Sequence, residues 1–502
     1  MKKILINQSP WQTRVAIIDE DNKLQNVYFW SHAGNHLERC FFKGLVTKIL
    51  PGIQTAFVEI NQEKAGFLHI SEIDRELAGT RITGNLEQDD AQQKPKRSRG
   101  PADISKILKE QESVLVQVTK EPIGTKGAKL STCFTLPGRF IVLMPNIPRI
   151  GTSRKIETHE ERSRLKTIVR ENLPEGMGAI IRTCSENRTE RELKQDINFL
   201  LKTWNKILKA EKEAEPGAKI YQDINLAFQV IRDHLDEDIE SVVLDDKQVQ
   251  KDLVKYVKEI APEYSSKIKN YTGKTPLFER YHVEEQIHES LKPQAELKSG
   301  GSIVIETTEA MTVVDVNTGR FTGKSNLEDT ILKTNLEAAQ EVVRQLKIRN
   351  IGGLIVIDFI DMASAANRRK LIQTFEKTLK EQDKFQSVVL QISEFGLVQM
   401  TRKRSGKTLS RQLTNACKSC KGSGLTPSVQ AESYNVLRNI KKQLESGKTT
   451  HQITLKLNPE VFEYITHTEY NTLFNFEKTH NCKVTLESDV SLQIPQFKIE
   501  AK

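Results

Sequence analysis

Two short apolar stretches, each ending in an aspartate, hold the residues best suited to chemistry. The first is MTVVDVNTG at 311–319 and the second is GGLIVIDFIDM at 352–362. Both are rich in β-branched residues and read as strands. By the two-residue period of a strand, Val313, Asp315 and Asn317 share one face of the first. Leu354, Val356 and Asp358 share one face of the second. Between them Leu332, Leu336, Ala339, Val343 and Leu346 recur at helical intervals, with Gly352 as the expected exit. A strand–helix–strand unit brings Asp315 and Asp358 together near the carboxyl ends of parallel strands, where open α/β sheets carry their sites. The two carboxylates are expected side by side and buried, which is costly unless they are paired or bound to metal. They suit magnesium, which prefers oxygen ligands and keeps several waters, one of which can attack a phosphodiester. Asn317 could position a ligand or the scissile phosphate without adding charge. The competing reading is a helix cap, and Asp361, just before the helical pattern Ala365–Gln382, fits that role better than either.

Other residues invite function with less force. CKSCKGSG places Cys417 and Cys420 at the spacing of half a zinc site. The chain offers no second close pair of ligands, so a second copy is the simplest completion. A redox pair, or a site finished by Cys482 or a distant histidine, is the rival. Phe57 and Phe67 fall on the outward faces of two short strands, as stacking platforms for unpaired bases do. Lys126, in the GTKGA loop, could reach a backbone phosphate. Arg182 and Thr183 end the strand-like GAIIRT at a loop. Arg402, Lys403, Arg404, Lys407 and Arg411 form a basic run before the cysteines, suited to an RNA backbone or to solvent.

The elements that must position these residues divide the 502-residue chain, which is too long for one core. Residues 1–36 start a sheet. Residues 37–128 show the short strands and turns of a small β-barrel, interrupted near 76–101 by a polar insertion containing KPKRSR. Residues 129–225 form a separate unit. In it Thr189 and Glu192 make a capping-box pattern, and Leu193, Ile197, Leu200, Trp204, Ile207 and Leu208 follow helical spacing. Residues 226–289 are mixed, 290–411 hold the aspartate pair, 412–426 the cysteines and 427–502 a small α/β domain.

Bulk composition sets limits. Hydrophobic residues make up 37% and charged residues 28%, as in soluble globular proteins. No apolar run approaches the roughly 20 residues of a membrane span, and no signal peptide is legible, so the cytoplasm is the expected compartment. The net charge of +9 permits a polyanionic partner. Four of the six cysteines are scattered, which excludes a disulfide framework.

Taken in order, ILPGIQTAFVEI, GFLHISEI, GTKGA, VLMPN, LPEGMGAIIRT, SSKIKNYTGKTPLF, SGGSIVIETTEAMTVVDVNTG, KTNLEAAQEVVRQLKIRNIGGLIVIDFIDM and CKSCKGSG resemble the ribonuclease E/G endoribonucleases. The resemblance covers nearly the whole chain. The chain stops soon after its small domain, so the shorter ribonuclease G type is expected. The resemblance implies a multidomain α/β and α+β architecture. An RNase H-like subdomain (1–36 and 226–289) is split by an inserted S1-like OB-fold (37–128) and a 5′-sensor domain (129–225). A DNase I-like catalytic subdomain (290–411), a zinc link (412–426) and the small domain follow. It implies magnesium at Asp315 and Asp358 with Asn317 assisting, and a 5′ monophosphate held by Arg182 and Thr183. It implies RNA contacts at Phe57 and Phe67, and zinc at Cys417 and Cys420. The implied reaction is cleavage of single-stranded RNA to 5′-phosphate and 3′-hydroxyl ends, in rRNA and tRNA processing and mRNA decay. The implied assembly is a homodimer through the zinc link, with tetramers left open. Lys418, where the family link has proline, and Glu394, where the family often has arginine, depart from the pattern. A non-catalytic RNA-binding or ribosome-assembly factor is the alternative, and the intact Asp315, Asn317 and Asp358 argue against it.

Overall fold

The computed structural model describes all residues except 35, 75–102, 123–125, 224, 319–326, 394–395, 405, 421, 446–451 and 502. The insertion near 76–101 and Glu394 therefore lie outside the described residues. The chain forms two compact units, Met1–Ser405 and Gly406–Lys502.

In the first unit, Lys2–Gln8, Gln12–Ile18 and Leu24–Ser31 make an antiparallel meander. Ile239–Leu244 adds to it in parallel, with Ile268–Asn270 beyond. Segments far apart in sequence thus share one sheet, over a core that includes Ile4, Ile6, Val15 and Val242.

Strands Phe41–Leu50, Thr55–Glu59, Gly66–His69, Lys129–Ser131 and Ser113–Lys120 pair in that order, and the last pairs back onto the first. This closes a five-stranded barrel around Val46, Ala56, Val58, Leu68, Val116 and Leu130. Closure removes exposed strand edges.

A four-stranded sheet, ordered Ile150–Thr152, Gly178–Ile181, Ile141–Met144 and Leu136–Pro137, packs with the helices His159–Asn172 and Glu190–Glu213. The capping box at Thr189 and Glu192 is formed. Leu193, Ile197, Leu200, Trp204 and Ile207 are buried. Leu208 is exposed instead, because it lies about 100° around the helix from Ile207.

The aspartate region is a six-stranded sheet. Its order is Gln294–Glu296, Ser302–Thr307, Met311–Asn317, Gly353–Asp358, Leu397–Arg402 and Ser387–Val389. Its central pair, Met311–Asn317 and Gly353–Asp358, is parallel and is joined by the crossover helix Leu327–Ile348. That helix and Ala365–Gln382 cover one face of the sheet, where Ala339, Val343, Leu371 and Phe375 meet Val314, Ile355 and Ile357. The crossover helix ends before Gly352. The left-handed turn is made by Asn350, at φ 50°, a conformation asparagine tolerates better than most side chains.

The basic run is not uniform. Arg402 is buried, and its guanidinium donates to both carboxylate oxygens of Asp383 at 2.6 and 3.0 Å and to the Ile351 carbonyl. It is a structural ion pair and does not follow a nucleic-acid backbone. Lys403, Arg404, Lys407 and Arg411 are exposed.

The second unit has strands Lys483–Ser488, Gln452–Leu457 and Phe497–Ala501 against helices Val429–Glu445, Pro459–Thr468 and Tyr470–His480. Its core includes Val436, Ile440, Ile453 and Leu455. Among the described residues, no helix is long and apolar enough to cross a membrane.

Candidate active site

Asp315 and Asp358 stand opposite each other in the register of the parallel pair. On the outer sides, Val304 is opposite Asp315 and Leu397 is opposite Asp358. The strand register therefore brings no cation to either carboxylate. Both aspartates are exposed, contrary to the expectation of burial. Thr312, Val314 and Val316 point into the helix-covered core, so the alternate residues Val313, Asp315 and Asn317 face out. Among the described residues, the helices cover one face of this sheet, and the carboxylates lie on the other. Partial desolvation, followed by the charges of Asp315 and Asp361, pushes the Asp358 carboxyl above its ordinary value.

Asn317 Nδ2 donates to Asp315 Oδ2 at 2.9 Å and so orients that carboxylate. Asp361 does not cap the following helix. Ser364 does, accepting from the Asn367 amide. Asp361 is thereby left to join the acidic group. Gly396, at φ 78°, lies so close that a Cβ there would sit 2.8 Å from Asp361 Oδ1.

Two residues that sequence reasoning missed hold this segment. Asn335, wholly buried on the crossover helix, donates to the Ile360 carbonyl at 2.7 Å and accepts from its amide at 3.1 Å. Glu328 accepts from the Ser364 amide and the Asn367 side chain. The available signal was an amide among the leucines and alanines of an otherwise apolar helix face. Beside the strand ends lies a pocket of about 500 Å³ lined by Phe359, Asp361, Met362, Arg368, Ile392 and Ser393.

Among the described residues, no group of three or more His, Cys, Asp and Glu side chains closes around one point. Two adjacent, exposed carboxylates fit a metal that keeps several of its waters, as magnesium does. They do not fit one that requires a full protein cage.

The sequence model of the Ribonuclease E/G family matches residues 135–405, and that of the RNase E/G thioredoxin-like domain matches 416–502. The chain belongs to the ribonuclease E/G family. Membership makes it an endoribonuclease by class. It is 38% identical to Ribonuclease G of Escherichia coli strain K12 over 475 residues, 95% of this chain and 94% of that protein. It is 37% identical to Ribonuclease G of Haemophilus influenzae, over 94% of this chain and 93% of that one. Ribonuclease E of Escherichia coli strain K12 is 36% identical over 90% of this chain, but only 42% of that longer protein is covered.

The remaining candidates of this ribonuclease E/G chain lie apart from the aspartates in sequence. Phe57 and Phe67 are direct register partners on adjacent barrel strands and are half-buried rather than fully exposed. Lys126 is exposed. Arg182 is half-buried, and its Nη1 donates to the Gly138 carbonyl at 2.6 Å and to Asp233 Oδ1 at 2.7 Å. The Thr183 hydroxyl lies 2.8 Å from that of Ser153. Burial alone would raise the Asp233 carboxyl, but Arg232 and Arg182 together outweigh it and hold the group well below the usual range. Cys417 is exposed and Cys420 half-buried, while Cys482 packs against the core of the second unit. Lys418 is exposed.

Proposed function

We propose that the chain is a magnesium-dependent endoribonuclease that cuts single-stranded RNA, leaves 5′-phosphate and 3′-hydroxyl ends, and is stimulated by a 5′ monophosphate. Its cellular work would be rRNA and tRNA processing and mRNA decay. The observation that carries this reading is the side-by-side register of Asp315 and Asp358 on the open face of the sheet, in a chain of this family. Asp315 and Asp358 hold the magnesium ion. A magnesium ion bound there would supply a coordinated water for attack on the phosphodiester and would offset the negative charge developing on its oxygens. Asn317 fixes the Asp315 carboxylate, and Asn335 and Glu328 fix the backbone that follows Asp358.

The rest of the chain binds and selects. Phe57 and Phe67 offer adjacent rings for base stacking, which is tolerant of sequence because every base has a π-face. Lys126 contacts a phosphate. Arg182 and Thr183 receive the 5′ monophosphate. Because Asp233 already engages Arg182, the incoming phosphate must share or displace that bond. Cys417 and Cys420 give two thiolates of a zinc site completed by a second chain, making a homodimer.

Cleavage of a labelled single-stranded RNA in magnesium tests the reading. Asp358→Asn should abolish cleavage while RNA binding survives, and the wild type should cut a 5′-monophosphate RNA faster than its 5′-hydroxyl counterpart. Full activity in Asp358→Asn would remove the metal site. RNA binding by wild type with no cleavage would favour a non-catalytic RNA-binding or assembly factor.

A further inference from the structure

A groove of about 1060 Å³ runs beside the long helix Glu190–Glu213. Glu259 and Pro262 stand on its other side, and Gln195 Nε2 crosses to the Glu259 carbonyl at 2.7 Å. The helix contributes Arg191, Lys194, Lys202 and Lys206 to the lining. All four are exposed, and none forms an ion pair among the described residues. Lys209 extends the same row. Between Arg191 and Lys209 the row spans about 27 Å of helix.

Opposite charges at i and i+4 support a helix, as at Glu190 and Lys194 and at Lys209 and Glu213. The middle of this row departs from that rule of opposite charges. Here Lys202 and Lys206 stand four apart with like charge, which destabilises the helix on its own. The opposing acids in the groove are Glu190 and Glu259. Among the described residues, Phe199 is the one aromatic lining the groove, and it is only half-buried there. A rigid line of unpaired cations with little ring surface suits a phosphodiester backbone read by charge and not by base.

We propose that this groove is a second RNA-binding track, taking the backbone of single-stranded RNA outside the aspartate sheet. It rests on membership in a ribonuclease family and not on the magnesium or 5′-end readings. The track strengthens the hold on long RNA and leaves the chemistry of short RNA untouched.

The test uses the full chain with Lys194→Gln, Lys202→Gln and Lys206→Gln combined. Glutamine keeps nearly the helix propensity of lysine, so the fold persists. A control combines Lys442→Gln, Lys478→Gln and Lys483→Gln in the second unit, with the same loss of charge. Binding of a 5′-hydroxyl, unstructured RNA of about 40 nucleotides is measured across salt in magnesium-free buffer, beside cleavage of an RNA of about ten nucleotides in magnesium. The groove variant should bind the long RNA about tenfold more weakly, with a salt slope about 2 units shallower, as three lost single-strand phosphate contacts require. Its cleavage of the short RNA should stay within about twofold of wild type, and the control should match wild type throughout. Wild-type affinity and slope in the groove variant would overturn the proposal. So would an equal loss in the control, or an equal loss on the short RNA.

Discussion

At the scale of the residue, exposure decides how the aspartates act. Two buried carboxylates would need a metal or a proton merely to exist there. Asp315 and Asp358 are exposed, and the Asp358 carboxyl carries partial desolvation and then the repulsion of Asp315 and Asp361. A bound cation relieves that repulsion, so the site is suited to a metal without requiring one for folding. A different residue ties folding to pH. His234 lies 3.1 Å from the Tyr28 hydroxyl, and desolvation, with Lys384 nearby, holds its imidazole well below the ordinary value. The folded state therefore resists a proton that the unfolded chain accepts near pH 6.5. Stability from this group is present above about pH 6.5 and falls on acidification, by up to about 1.4 kcal/mol per pH unit. His234→Gln should flatten that fall. Denaturant unfolding at several pH values between about 7 and 5 checks it, and parallel curves for variant and wild type would contradict it.

At the scale of the element, the sheet is held by polar contacts as well as by its core. The Asp383–Arg402 pair joins the end of helix Ala365–Gln382 to the strand beside the one bearing Asp358. Both side chains are almost wholly buried. Asp383→Ala would strand a buried guanidinium at a cost of about 3–5 kcal/mol. A denaturation midpoint unchanged from wild type would show that Arg402 finds another partner. The crossover helix does a second task beyond covering the sheet. Its buried Asn335 grips Ile360, between Asp358 and Asp361, so a helix on the covered face sets the backbone of the open face.

At the scale of the whole molecule, the proposed zinc link would need ligands from a second chain. The backbone amides of Gly424 and Gly422, then the Cys417 thiol, favour the Cys420 thiolate, the form that binds metal. No third and fourth ligand joins them among the described residues. Purified protein should hold about one zinc per two chains, four thiolates completing a tetrahedral site. Cys417→Ser with Cys420→Ser should release the zinc and halve the mass in solution. Unchanged mass and metal content would refute a zinc-bridged dimer.

The period-two face of Asp315, Asn317 and Asp358, the crossover helix, the capping box at Thr189 and the ribonuclease E/G family are legible from the order of residues alone. These depend on local periodicity and ordered motifs, which are written in the order of residues. Folding is what turns the aspartates outward, makes Arg402 a buried partner of Asp383, gives the helix cap to Ser364 and not Asp361, and rests Arg182 on Asp233. Each of these depends on which surface a distant segment covers, and a strand's alternation is the same whichever of its faces the helices choose.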